Sequence, residues 1–245
     1  MPAKDNVLAA IKGSLNLEIT PATIAMIEAY IKLLQEGNKK LNLTAITEED
    51  EIWRKHVLDS LLLFSVLELK NDVSVIDVGT GAGLPGILLK ICCPGIRLTL
   101  LEARKKKVDF LQRAVASLGL TGVECIWGRA ENLARLANYR EQFDLAVARA
   151  LARLNILVEY CLPFVKTGGC MVAYKGPEGE KELEEAVKAI PVLGGKELGI
   201  WQRQLLAETE IRQLIVIKKE KSTPLQYPRR AGTIKKRPLG ANRLQ

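Results

Sequence analysis

Four glycines fall within eight residues, Gly79, Gly81, Gly83 and Gly86, directly after the apolar, β-branched run Val75-Ile76-Asp77-Val78. Glycine lets a backbone approach a ligand where a Cβ would collide, and a following helix aims its free N–H groups and positive dipole end at the same point. The pattern reads as a nucleotide-cofactor turn between a buried strand and a helix, with Pro85 suited to the first helical turn, where a missing donor costs nothing. Gly81-x-Gly83-x-x-Gly86 alone also satisfies the dinucleotide fingerprint, so its surroundings must discriminate.

Carboxylates at the ends of the next predicted strands supply that context. Arg97 to Glu102 reads as a second strand ending in an acid, 23 residues after Gly79, about the interval at which a carboxylate pairs with ribose hydroxyls. Val123 to Trp127 reads as a third strand, followed by Gly128-Arg129-Ala130-Glu131. There Glu131 could accept from an adenine amino group, and Ala130 leaves room for a flat base. Asp77, just before the glycines, suits a cationic amino acid end better than a pyrophosphate. The set favours S-adenosylmethionine over a nicotinamide dinucleotide.

Other groups bear on the chemistry. His56 and Asp59, three apart, share a face if helical, either as a base and its orienter or as groups that shape a pocket. Arg149, at the mouth of a fourth strand, sits where open sheets present ligand or catalytic groups, with a structural salt bridge as the alternative. Lys175 closes a fifth strand and could hold a phosphate or the departing base. Arg104-Lys105-Lys106-Lys107 opens a helix whose dipole it opposes, which points to phosphate contact or a solvated face. The Asn/Asp-Pro-Pro-aromatic signature of exocyclic-amine methylation and a cysteine nucleophile for pyrimidine C5 are both missing at the fourth strand. That leaves an acceptor needing little activation. Guanine N7 is one, because its lone pair is free and no proton has to leave. No dedicated catalytic base is expected; Arg149, Lys175 and His56 are the candidates for a positioning role.

The elements that must hold these residues follow from periodicity. Helical patterns cover Val7 to Leu17, Pro21 to Glu36 behind Thr20 as cap, and Glu48 to Leu67, with a connection near 38–46 carrying Lys39 and Lys40. From Val73 strands near 73–78, 97–102, 123–127, 143–148 and 169–174 alternate with helices near 84–92, 105–118, 131–137 and 152–165. A further helix spans Glu180 to Ile190, and strands near 196–203 and 210–217 form a late hairpin. The expected fold is α/β, a Rossmann-like class I methyltransferase fold with a seven-stranded, mostly parallel sheet and an N-terminal helical extension. The expected spans are 1–70 for the extension, 71–220 for the donor-binding domain and 221–245 for a basic strap.

With 245 residues and 48% hydrophobic content, the chain can bury a substantial core. No basic leader precedes an apolar stretch near Met1, and no apolar run reaches the roughly 20 residues of a membrane span. A cytoplasmic protein without membrane contact is expected. Five cysteines without a C-x-x-C pair read as buried reduced thiols, and a single histidine argues against a metal site. Of the net charge of +8, seven cations and no acid lie in 221–245. Pro224, Pro228, Gly232 and Pro238 there suggest an extended strap rather than a helix, suited to a polyanion, and Tyr227 could anchor it. Within it, Lys235, Lys236 and Arg237 are expected to grip RNA rather than donor.

Taken together, these pieces resemble the RsmG (glucose-inhibited division protein B) family of small-subunit rRNA guanine-N7 methyltransferases. The resemblance rests on Asn42-Leu43-Thr44-Ala45-Ile46, His56-x-x-Asp59-Ser60, Asp77 through Gly86, Gly128-Arg129-Ala130-Glu131, Ala148-Arg149-Ala150, Tyr174-Lys175-Gly176 and Tyr227-Pro228-Arg229-Arg230-x-Gly232. It spans nearly the whole chain. It implies N7-methylation of the guanine at position 527 of 16S rRNA, with S-adenosylmethionine contacted by Gly79, Leu84, Ala130, Glu131 and Arg149 and its ribose taken by Glu102. Asp77 and Gly81 complete the donor set read from the residues themselves. The partner is 16S rRNA or the small ribosomal subunit, and a monomer is expected. The competing readings are a small-molecule methyltransferase, a nicotinamide-dependent oxidoreductase, and an RNA-binding protein without activity.

Overall fold

In the computed structural model, residues 3–15, 17–204 and 211–240 are described. Asn16 of the expected first helix, Glu210 of the expected last strand and Arg243 of the basic tail lie outside them. Two helices, α1 (Ala3–Ser14) and α2 (Pro21–Leu41), open the chain. Thr20 caps α2, its hydroxyl accepting from the Thr23 N–H at 3.2 Å. The helix runs five residues beyond the expected Glu36, so Lys39 and Lys40 belong to its last turn and not to a loop. Cations there complement the helix dipole, and Asn42 closes the helix in the left-handed conformation at φ 47°. The third helix is not regular either. α3 (Glu49–Ile52) widens into a π turn over Trp53–Leu58, returns as α4 (Asp59–Leu61) and tightens to a 3-10 turn over Leu62–Ser65.

Seven strands among the described residues form one sheet: β1 (Ser74–Val78), β2 (Arg97–Glu102), β3 (Val123–Trp127), β4 (Phe143–Arg149), β5 (Val165–Lys175), β6 (Gly195–Gln204) and β7 (Ile211–Lys219). Their order is β3-β2-β1-β4-β5-β7-β6. The first five pair in parallel, and β7 runs antiparallel to both its neighbours. This is the mostly parallel sheet with a late hairpin that the alternation of patterns predicts. All five residues of β1 are buried, as a central strand covered on both faces requires.

The helices divide by sheet face. One face is covered by the N-terminal helices, α5 (Gly86–Cys92) and α6 (Lys105–Ser117); Ile27 and Leu34 join Val75, Leu100 and Val147 in a single core cluster. On the other face lie α7 (Ala130–Leu133), α8 (Leu154–Cys161), α9 (Gly179–Ala186) and α10 (Ala189–Val192), with Ile76, Val78 and Ala148 inward. A short helix, α11 (Ala231–Lys236), follows the strap and carries Lys235 and Lys236. The tail is therefore not wholly extended, despite its prolines, because Ile234 gives one turn an apolar side to bury. Among the described residues no helix is long and apolar enough to cross a membrane.

Candidate functional site

The strand ends β1, β2, β3, β4 and β5 converge on one edge of the sheet, the position at which an open α/β sheet holds ligands. At β1 the chain turns through Gly79, Gly81 and Gly83 at φ values of 71°, 62° and 100°, which side-chain-bearing residues rarely adopt. A Cβ on Gly79 would also lie 2.6 Å from Leu151 Cδ1. Pro85 stands one residue before the helix, at the N-cap of α5.

Asp77 holds this turn from below. Its fully buried carboxylate accepts from the Thr80 hydroxyl at 2.7 Å and the Gly86 N–H at 2.8 Å through Oδ2. Oδ1 is buried with no hydrogen-bond partner. Burial pushes its pKa up to about 6, with the Thr80 and Gly86 bonds and the charge of Arg149 pulling the other way. Above the turn, Glu102 accepts from the Gly81 N–H at 3.1 Å and from the Arg104 N–H at 2.8 Å. A residue far away in sequence completes the brace: Tyr30 of α2 donates its hydroxyl to Ala82 O at 2.9 Å.

Two cavities open here and share Leu151 and Ala152 as a wall. The first, about 130 Å³, lies over Gly79 and is lined by Gly128, Ala130, Glu131 and Lys235. The second, about 510 Å³, is lined by His56, Asp59, Arg149, Tyr174, Lys175 and Arg212. Its charges are paired. Arg149 donates to Asp59 Oδ2 at 2.9 Å, Arg212 Nε lies 3.6 Å from Asp59 Oδ1, and Lys175 contacts Glu182 at 2.7 Å and Ala152 O at 2.6 Å. Arg149 also reaches Lys55 O at 3.3 Å, and Tyr174 donates to Ser60 O at 2.8 Å. The π turn bears Lys55 and His56, and such turns recur at ligand sites. His56 Nε2 lies 2.8 Å from Thr44 Oγ1. Burial first, then the charge of Arg149, lowers its pKa to about 4, so the ring is neutral near pH 7.

The sequence-predicted residues thus separate into two groups. Gly79, Ala130 and Glu131 line the smaller cavity, with Gly81 and Glu102 at the turn beside it and Asp77 beneath. Arg149, Lys175 and His56 line the larger one, and Leu84 is buried in the core against the turn. Arg104 to Lys107 form neither; with Lys40 and Asn42 they line a third, basic hollow of about 410 Å³. Sequence reasoning did not single out Tyr30 or Arg212. Tyr30 looks like any core aromatic of an amphipathic helix, and Arg212 like any strand cation.

Comparison with known proteins decides the family. A family model described as rRNA small subunit methyltransferase G matches residues 23–211. The chain belongs to that family. It is 56% identical over 239 residues to the ribosomal RNA small subunit methyltransferase G of Moorella thermoacetica, covering 98% of this chain and 100% of that one. Its fold resembles that of MtNAS in complex with MTA and tNA, with a TM-score of 0.54 at 16% identity over 82% of this chain and 75% of that one. It also resembles M. jannaschii TYW2 in complex with AdoMet, with a TM-score of 0.50 at 14% identity over 62% and 71%. These likenesses establish the class I methyltransferase fold, as the strand order does.

Proposed function

We propose that the chain transfers a methyl group from S-adenosylmethionine to N7 of the guanine at position 527 of 16S rRNA. The observation that carries this reading is the pair of cavities meeting at Leu151 and Ala152, one built over the glycine turn and one rimmed by cations. The donor site fits a nucleoside on its own chemistry: a backbone cradle that a Cβ on Gly79 would fill, carboxylates at successive strand tips, and a buried, unpartnered Asp77 oxygen. Gly79, Gly81, Ala130 and Glu131 hold the adenosine, Glu102 takes the ribose by exchanging its bond to the Gly81 N–H, and Leu84 and Asp77 support the turn. Arg149, on the wall of the larger cavity, orients the amino acid end. When bound, this donor supplies a methyl group on an electron-poor sulfur.

The remaining work is positioning. His56, neutral at working pH, and Asp59 fix the Arg149 guanidinium, while Lys175 holds the shared wall through Ala152 O. No side chain needs to remove a proton, because N7 attacks with a free lone pair, and rate comes from alignment and exclusion of water. By this division of labour, 1–70 braces the turn, 71–220 binds donor and base, and 221–245 borders the site. The basic hollow at Lys40 and Arg104 to Lys107 suits rRNA phosphates. The enzyme acts in the cytoplasm, as a monomer, on rRNA or the small subunit. Incubation with labelled donor and small subunits lacking the modification, followed by mapping of the labelled nucleotide, tests the reading; label at any other base or none at all refutes it.

A further inference from the structure

We propose that Lys235 is a donor-binding residue and that residues 223–240, latched by Arg229 on Glu159, form the outer wall of the cavity over Gly79. The inference rests on the reading that this cavity holds the adenosine half of the donor. After β7 the chain crosses the α7–α8 side of the molecule through a series of specific ties. The Thr223 N–H donates to Glu141 Oε1 at 2.6 Å and its hydroxyl to Leu193 O at 2.9 Å. Arg140 donates to Tyr227 O at 2.8 Å, and Arg135 to Gln226 O at 3.1 Å. At Arg229 the strap reaches α8. Its Nε and Nη2 donate to Glu159 Oε1 and Oε2 at 2.9 and 2.6 Å, and its backbone N–H to Oε1 at 2.8 Å. The Glu159 side chain is fully buried, so an unpaired carboxylate there would be costly. This gives the latch a fixed place on the body.

Five residues on, Ile234 is fully buried in the cluster that includes Ala130, Ala152 and Tyr160, three residues that also line the cavity. Seating Ile234 carries the next residue, Lys235, to the cavity that Glu131 also lines. The other inward lysines are engaged: Lys90 with Pro94 O and Ile96 O, Lys175 with Glu182, and Lys219 with Leu162 O and Thr223. Lys235 makes no hydrogen bond or ion pair among the described residues. An ammonium offers only donors and a carboxylate only acceptors. Together Lys235 and Glu131 match a nucleoside that presents an amino group beside ring nitrogens and sugar oxygens. Lys235 thus departs from Lys236 and Arg237, with which its charge alone would group it.

The test uses the full-length chain and two probes, S-adenosylhomocysteine and 5′-methylthioadenosine, the second lacking the amino acid. Calorimetric titration of Lys235→Met is expected to show about tenfold weaker binding of both probes by the same factor, equivalent to about 1.4 kcal/mol. Ile234→Asp, which unseats α11, is expected to weaken both at least as much, and adding Lys235→Met to it to cost nothing further. Saturating S-adenosylhomocysteine is also expected to slow tryptic cleavage after Lys235 in the unaltered chain. If Lys235→Met binds 5′-methylthioadenosine as the unaltered chain does, the inference falls and the donor reading stands; weakened rRNA binding in that variant would then assign the lysine to phosphate. If the unaltered chain binds neither probe, the donor reading fails first and takes the inference with it.

Discussion

The two cavities that share Leu151 and Ala152 are built by opposite means. Over Gly79 the lining is largely small residues, with Glu131 as its carboxylate, drawn from the ends of β1 to β4 and the turns that follow them, together with Tyr160 and Lys235. Around Arg149 the lining is a set of mutually paired charges contributed by the π turn, β4, β5 and β7. The first cavity gains its shape from what glycine lacks. The second is held by polar ties between elements far apart in sequence, such as the hydrogen bond from Tyr174 to Ser60 O across 114 residues and the ion pair of Asp59 with Arg149 across 90. A backbone cradle tolerates side-chain changes around it but not a Cβ within it, whereas a charge network fails when one partner is removed.

That contrast is broken most sharply at Arg149→Met. Asp59, about 8% exposed, would keep only the longer contact to Arg212. Removing one partner of a buried pair costs about 3 kcal/mol, and methyl transfer is expected to fall at least a hundredfold. Denaturant unfolding checks the first and a labelled-methyl assay the second. Asp59→Asn added to Arg149→Met should recover part of the stability but none of the transfer; a single variant as stable as the parent would show that the pair carries no weight. Gly79→Ala probes the other cavity. Its φ of 71° and the crowding at Leu151 are expected to cost about 1–2 kcal/mol. S-adenosylhomocysteine should then bind about tenfold more weakly while rRNA affinity holds. Equal donor affinity would mean that Leu151 yields and the cradle is not tight.

The same contrast explains what was legible in the sequence. The donor cavity could be read because its parts are local: Gly79 to Gly86 after one strand, Glu102 ending the next, Ala130 and Glu131 after the third. All seven strands and their mostly parallel order followed from alternation, since buried parallel strands are continuous apolar runs. The larger cavity was legible only as scattered residues, because no local pattern records that Arg212 meets Asp59 or that Tyr30 reaches Ala82. In the sequence Gly37 and Asn38 make Lys39 and Lys40 look like part of a connection, whereas the structure keeps both in the last turn of α2. In the structure a Cβ on Gly37 would meet Phe110 at 2.6 Å, so the glycine serves close packing of α2 on α6 rather than termination. The turn of helix at Ala231–Lys236 was missed for a related reason, its one apolar anchor being a single isoleucine among prolines and cations.

The basic surfaces sharpen the comparison from outside both cavities. Lys236→Ala with Arg237→Ala, leaving Lys235 in place, is expected to weaken rRNA binding and flatten its dependence on salt by about 1.5 units of log-log slope, while donor affinity stays the same. Lys106→Ala with Lys107→Ala, in the hollow beside Lys40, should act similarly. Filter binding over a range of salt concentrations measures both, and a slope that does not change in either variant would remove these surfaces from the interface.

Titration also separates the cavities. His56, beside Arg149, has its pKa lowered by burial to about 4, below the roughly 6.5 of an unfolded histidine. Its contribution to stability is therefore complete above pH 6.5 and is lost as the pH falls toward 4. Asp77, beneath the glycine turn, is raised by burial to about 6, above an unfolded value near 3.9. Its contribution is complete below pH 3.9 and is lost as the pH rises through 6. Between pH 4 and 6 the two slopes oppose each other and largely cancel in the parent chain. Asp77→Asn removes one of them, so its stability relative to the parent should fall on acidification from pH 6.5 to 4.5. His56→Gln removes the other, and its relative stability should rise over the same interval. Urea midpoints at the two pH values report both, and variants whose curves run parallel to the parent would show that neither group titrates as its burial requires.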